Sequence, residues 1–209
     1  DTFRSARLST HSIGVIGITM NEELNFERIL QLRGTGQGVI SHTDSKKYLR
    51  HTHPMLGVDW IADRDFGVGW IHAVRAVSCS DPVFAGHFPD AGVYPGTSLN
   101  QDVNQIGIML LIGMTTPLKE EGSTQEITAV KSITSSYGHP VPPGCLLDIA
   151  VWALGKDGHK SDDMQFEARV RDFPYYMTPN RLGLVFGPAI KGSLTLIRAK
   201  RKIYAGIWM

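Results

Sequence analysis

The sequence predicts an α+β domain in which a curved antiparallel sheet wraps around one central helix. Three observations point there. From Val58 onward most segments are short and β-like, with alternating or continuous apolar character. Among them a single long segment, roughly Gly96 to Met114, has a helical pattern. Its second half, "IGIMLLIGM", is apolar nearly all round, which requires burial on most faces.

Residues 1–45 read as an N-terminal extension of uncertain structure. It contains an apolar "IGVIGITM", an amphipathic "NEELNFERILQL" and a glycine-rich "RGTGQG". That last run lacks the full G-x-G-x-x-G spacing and a helix after it, so a flexible connector is preferred to a nucleotide site. Residues 46–209 read as one domain with an insertion near 172–189. Its strand candidates are "GWIHAVRAVSCS", "EITAVKSITSSY", "LLDIAVWALGK", "MQFEARVRDF" and "GSLTLIRAKRKIYAGIW". In the helix, Pro95-Gly96 punctuates the start, Thr97 or Ser98 offers a cap, and Pro117 is the stop. Gly107 and Gly113 would let strands approach it closely. The start of this helix is unusually polar: Asn100, Gln101, Asp102, Asn104 and Gln105. Either they face solvent, or something polar is handled there.

Composition narrows the classes. A chain of 209 residues with 42% hydrophobic and 20% charged residues is an ordinary globular protein with one core. A net charge of +1 gives no field that would draw it to nucleic acid or a membrane. The longest apolar run, Ile106 to Met114, is too short to span a bilayer, and no export signal is visible. Cys79 and Cys145 make at most one bridge. Reduced thiols and a cytoplasmic location are expected, with Cys79 buried in its strand. His51 and His53 form H-x-H, but His139 and His159 are scattered, so no metal site is expected. Ser98 lies in no G-x-S-x-G context. The basic "RAKRK" at 198–202 reads equally as a charged, exposed edge strand or as a dock for an acidic carrier protein.

The stretch "FAGHFPDAGVYPG" closely resembles the "GHFPxxPVMPG" motif of 3-hydroxyacyl-ACP dehydratases of the FabZ/FabA type, which have the hotdog fold. The likeness extends both ways. "RHTHPMLGVDWI" is similar to the family's "PHRxPFLLVDRV", and "AVKSITSSYGHPVPPGCLLDI" resembles its later strand pair, with Val141, Pro143, Gly144 and Leu146 in place. "FEARV" and "IKGSLTLIRAK" fit closing strands, so the resemblance covers about residues 46–170 and more weakly 190–200.

The reaction explains the motif. A 3-hydroxyacyl thioester loses water when a base takes a C2 proton and an acid protonates the C3 hydroxyl. An imidazole suits the first task, because it titrates near working pH. A backbone N–H at a helix start can hold the negative charge that develops on the thioester oxygen. The resemblance implies His87 as the base and Gly96 as that donor, with Tyr94, Pro95 and Gln105 binding substrate. The family's acid is a Glu or Asp on the helix, contributed across a dimer interface. Counting from Gly96 places Gln101 there. Gln101 can hold a hydroxyl but cannot protonate it. Asp102 follows, turned by about 100° on a regular helix, and would replace the acid only if the helix start were bulged. The resemblance further implies no metal, and no cofactor beyond the phosphopantetheine arm of a carrier protein. It also implies acyl carrier protein as partner and a homodimer or a heterodimer with a related chain. A thioesterase, an isomerase-like enzyme and a non-catalytic subunit are the other readings.

Overall fold

The computed structural model describes residues 23–52, 54–88, 90, 92–115, 126–155, 162–172 and 187–200. The expectations for "IGVIGITM", Pro117, His53, His159 and nearly all of the 172–189 insertion fall outside those residues.

Six strands form one antiparallel sheet in the order β1-β2-β4-β5-β6-β3. They are β1 Trp60–Asp65, β2 Trp70–Val77, β3 Glu126–Tyr137, β4 Cys145–Ala153, β5 Asp163–Asp172 and β6 Ile190–Lys200. Register shifts at Ile61/Asp63, Val130/Ser132 and Leu146/Leu147 put extra residues into the ladders. Such bulges bend and twist a sheet. The helix α2, Gly96–Thr115, lies against one face, where Val103, Ile106, Met109, Leu110 and Leu111 are buried with Ile71, Leu147, Ile149 and Phe166. This is the expected hotdog architecture. Gly107 serves as foreseen, since an added Cβ would collide with Leu194 of β6; at Gly113 the close neighbour is instead the Phe66 ring, from the turn after β1.

A short helix, α1 (Phe26–Gln31), covers part of the other face. Asn25 caps it by accepting from the Arg28 N–H at 2.9 Å, as a polar side chain at this position commonly does. Phe26, Ile29 and Leu32 pack on Trp70, Ala150 and Trp152. Arg169 of β5 reaches Glu27 at 2.5 Å and lies 4.5 Å from the centre of the Phe26 ring.

The "RGTGQG" run is not a free connector. The Asp63 carboxylate accepts N–H bonds from Gly34 at 2.7 Å, Gly36 at 3.1 Å and Gly38 at 2.8 Å. Gly34 and Gly38 have positive φ, and a side chain at Gly36 would strike the Arg64 carbonyl. The glycines therefore answer to a buried carboxylate on β1 rather than to a need for flexibility.

Three further expectations change. Cys79 is exposed, because β2 ends at Val77 and a turn follows in which Asp81 accepts the Ser78 N–H at 3.1 Å. Neither Thr97 nor Ser98 caps α2: the helix begins a residue earlier, and the Pro95 carbonyl accepts from Ser98 and Leu99 at 3.0 and 3.1 Å. Residues 198–200 are no edge of the sheet, since β6 sits between β5 and β3. The edge is β3.

Candidate active site

The His-Phe-Pro turn is built from a 3-10 turn, Pro82–Ala85, whose Val83 carbonyl accepts the His87 N–H at 3.1 Å. Phe88 then takes φ +49°, a left-handed conformation that costs a non-glycine residue energy. The result is a half-buried imidazole, with the Phe88 ring edge-on at 4.4 Å. The Nδ1 of His87 stands 2.8 Å from the Val93 carbonyl oxygen. A carbonyl only accepts, so Nδ1 carries the hydrogen, and in the neutral ring the lone pair is on Nε2. That is the tautomer a general base needs.

Next along the chain, the Tyr94 N–H donates to the Val141 carbonyl at 2.8 Å, which fixes where α2 starts. Among the described residues, the Gly96 N–H donates to no partner. It lies on a cavity of about 360 Å³ with Val93, Tyr94, Leu99, Tyr137 and His139. The Tyr137 ring covers Gly96 so closely that a Cβ there would sit 2.8 Å from it. Its hydroxyl donates to the Gly96 carbonyl at 3.2 Å and accepts from the Asn100 amide at 2.8 Å. Ser135 in turn donates to Asn100 at 2.7 Å. The polar start of the helix is thus partly occupied in tying α2 to β3.

A second cavity, of about 240 Å³, lies beside the next turn and is lined by Met55, Gly57, Arg75, Tyr94, Gln101 and Asp102. Gln101 and Gln105, one turn apart, both donate to the Met55 carbonyl at 2.6 Å, and Gln105 accepts from the Gly57 N–H at 3.0 Å. The two amides hold the loop that walls the cavity. Asp102 is 1% exposed, and the Tyr94 hydroxyl donates to its Oδ2 at 3.1 Å. Burial pushes the Asp102 carboxyl well above the usual carboxylate range. Burial and the neighbouring Asp102 likewise raise the Tyr94 phenol. Arg75 is held by Asp81, two bonds at 3.0 Å, and by Asp59 at 3.4 Å.

The fold therefore gathers Tyr94, Gln101 and Asp102 around one cavity, and Tyr94, which lines both, borders the Gly96 cavity too. Gln105 lies behind the loop, and the buried Pro95 supplies the carbonyl that begins α2. His87 lines neither cavity, and among the described residues no hydrogen bond joins it to Gln101 or Asp102 within one chain. The helix runs as a regular α-helix from Gly96, with no bulge at its start, so Asp102 points inward rather than along the Gln101 direction. Sequence reasoning missed Tyr137 and Arg75, whose only signal was their position in strand candidates. His51 keeps a buried Nδ1 without a partner among the described residues. No group of three metal-ligating side chains occurs among the described residues.

A hotdog sheet around a central helix, with a histidine turn leading into the helix start, is the arrangement that the resemblance to the FabZ/FabA-type family implies. Comparison with known proteins agrees. The FabA-like domain family matches residues 49–160, so the chain belongs to that family. It is 32% identical over 158 residues to coronafacic acid dehydratase of Pseudomonas savastanoi pv. glycinea, covering 76% of this chain and 88% of the relative. It is 35% identical over 141 residues to 3-hydroxyacyl-[acyl-carrier-protein] dehydratase FabZ of Erythrobacter litoralis, covering 61% of this chain and 91% of the relative. Among solved structures, a chain of the dehydratase heterocomplex ApeI:P from Xenorhabdus doucetiae superposes with a TM-score of 0.52 at 16% identity, covering 78% of this chain and 96% of that one. None of the helices among the described residues is long and apolar enough to cross a membrane.

Proposed function

We propose that the protein dehydrates 3-hydroxyacyl thioesters delivered on the phosphopantetheine arm of an acyl carrier protein, in fatty-acid or polyketide assembly, with His87 as the base. The observation that carries this reading is the 2.8 Å bond from His87 Nδ1 to the Val93 carbonyl. It places the lone pair of the neutral ring on Nε2, on a turn that leads to the Gly96 N–H, which has no partner among the described residues. A proton acceptor for C2 and a donor for the thioester oxygen are then supplied by one continuous segment. Two chains would pair through β3, the long edge strand, whose outer edge pairs with nothing among the described residues. Such pairing would bring the His87 of one chain toward the α2 start of the other, as the FabZ-like pattern implies.

The test is to incubate the protein with a 3-hydroxyacyl-carrier thioester and weigh the products. Loss of water is expected; free acid instead would make it a thioesterase, and an unchanged substrate a non-catalytic subunit. His87→Ala should lower turnover by about 10²–10⁴-fold and leave the melting temperature nearly unchanged. Full activity in that variant would overturn the assignment of the base.

Gln101 favours a second arrangement. Its amide is engaged with the Met55 carbonyl at the place where the FabZ-like pattern has a carboxylate. A mixed dimer with a related chain carrying that carboxylate would complete one site. Co-expression with hotdog paralogues encoded nearby tests it: a stable, active mixed dimer supports it, and full activity of this chain alone excludes it.

A further inference from the structure

We propose that this chain carries its own proton donor: Asp102 protonates the departing C3 hydroxyl from the cavity it shares with Gln101, and Tyr94 positions it. The proposal rests on the dehydratase reading above and supplies the acid that position 101 lacks.

Three independent features support it. First, no bulge turns Asp102 into the Gln101 direction, the condition set from the sequence, but none is needed: the cavity beside the helix borders both side chains. Residue 57 is glycine, and a Cβ there would fall on Asp102 Oδ1, so the missing side chain gives the carboxyl its place against the loop that lines the cavity. Second, Asp102 forms no ion pair among the described residues. The guanidinium in the cavity, Arg75, pairs with Asp81 and Asp59 and acts on Asp102 through its charge alone, which burial outweighs. A carboxyl that is 1% exposed and lacks an ion-pair partner is far more stable as the neutral acid. Third, the Tyr94 hydroxyl occupies Oδ2 at 3.1 Å, so the acidic hydrogen belongs on Oδ1, the oxygen against Gly57. A neutral carboxyl with one oxygen fixed and the other carrying a proton has the form a general acid requires. In this scheme Gln101 and Gln105 hold the Met55 carbonyl and keep the cavity wall in place.

The step balances within the protein. Nε2 of His87, brought in by a second copy, takes the C2 proton, and the C2–H electrons form the C2–C3 double bond. The C3–O bond breaks with its electron pair on oxygen. That oxygen takes the proton from Asp102 and leaves as water. The resulting imidazolium and carboxylate are restored by proton return through solvent.

The test uses the whole chain with 3-hydroxybutanoyl and 3-hydroxydecanoyl N-acetylcysteamine thioesters, and His87→Ala as control. The wild type should form the enoyl product without any other protein. Asp102→Asn should lower that rate by about 10²–10⁴-fold with the fold retained by circular dichroism, and Asp102→Glu should restore part of it. The pH profile gives a readout that a structural role would not move. The groups facing Asp102 are Tyr94, Arg75, Asp59 and Asp81: the Arg75 charge and the Tyr94 hydrogen bond lower its titration point, and the two carboxylates raise it. Tyr94→Phe should therefore move the high-pH limb of kcat upward in pH. If Asp102→Asn fails to fold, that displacement in Tyr94→Phe decides alone, and an unmoved limb overturns the proposal. A rate within threefold of wild type in Asp102→Asn, with His87→Ala inactive, overturns it and leaves the dehydratase reading standing. Turnover only after mixing with a carboxylate-bearing paralogue does the same. No enoyl product in any combination overturns both.

Discussion

On the face of the sheet that meets α2, β4 presents Cys145, Leu147, Ile149 and Val151, and all four join the main core. On the opposite face the same strand presents Asp148, Ala150 and Trp152. There His72 of β2, fully buried, meets Asp148 at 2.7 Å, and Arg171 of β5 clamps the same carboxylate at 2.8 and 2.5 Å. The α2 face is held by shape and apolar contact; the other face is held by a short helix and a buried charged network. The contrast shows that the side of a sheet remote from a site can be the more demanding one electrostatically. Removing a methylene from an apolar face leaves a cavity, whereas removing one member of a charged network leaves an uncompensated charge.

Breaking that network should give the largest effect. Asp148→Ala is expected to lower stability by about 3–5 kcal/mol, read as a fall in the urea midpoint, because Arg171 and His72 lose their acceptor. A loss under about 1 kcal/mol would mean that the two faces are held alike. On the helix side Leu110→Ala should cost about 2–5 kcal/mol through a cavity against the sheet, without changing how stability depends on pH.

The pH dependence sharpens the comparison, because one buried carboxyl on each face titrates in the opposite sense. Burial works to raise Asp148, but Arg171 and His72 outweigh it and hold it far below the usual range. Its contribution is present above the unfolded value of about 3.9 and is lost as pH falls through the folded value. Asp102 is shifted upward by burial, so its penalty begins above about pH 3.9 and grows until pH passes the folded value. Urea midpoints across pH should therefore show an acid-side decline that Asp148→Asn flattens. They should also show a separate decline with rising pH that Asp102→Asn flattens. Exchanged roles would refute the assignment. The smallest effect is expected from Asn25→Ala, which removes the α1 cap and should cost about 1 kcal/mol, with faster amide exchange confined to α1.

The α2 face was legible in the sequence because it follows the two rules that sequence patterns encode best. Period-two apolar residues mark β2, β4 and β5, and a run apolar all round marks α2. The His87 turn and the Gly96 start were legible as a motif, and Gln101 stood out by counting. The opposite face was not. His72 lies in "WIHAVRAV" as one of two polar residues in a strand, and nothing local announces that Asp148 meets it from β4 while Arg171 of β5 meets that same carboxylate. The "NEELNFERILQL" segment showed an apolar stripe but not the surface that receives it. Asp63 hid in the same way: its partners lie 25–29 residues earlier, in a run whose glycines invite a reading as slack. Contacts between distant residues that use ordinary residue types leave no spacing to read.

The Asp63 clasp bears on modularity. The family match starts at residue 49, whereas the clasp joins residues 34–38 to β1 across that boundary. Its two halves are useless apart: the glycines without Asp63 are a slack loop, and Asp63 without them is a buried carboxylate missing three donors. The segment upstream of residue 49 is therefore not a portable attachment. Transplanting it onto another member of the family would require the receiving strand to bring its own acceptor, so the segment and β1 are constrained to change together.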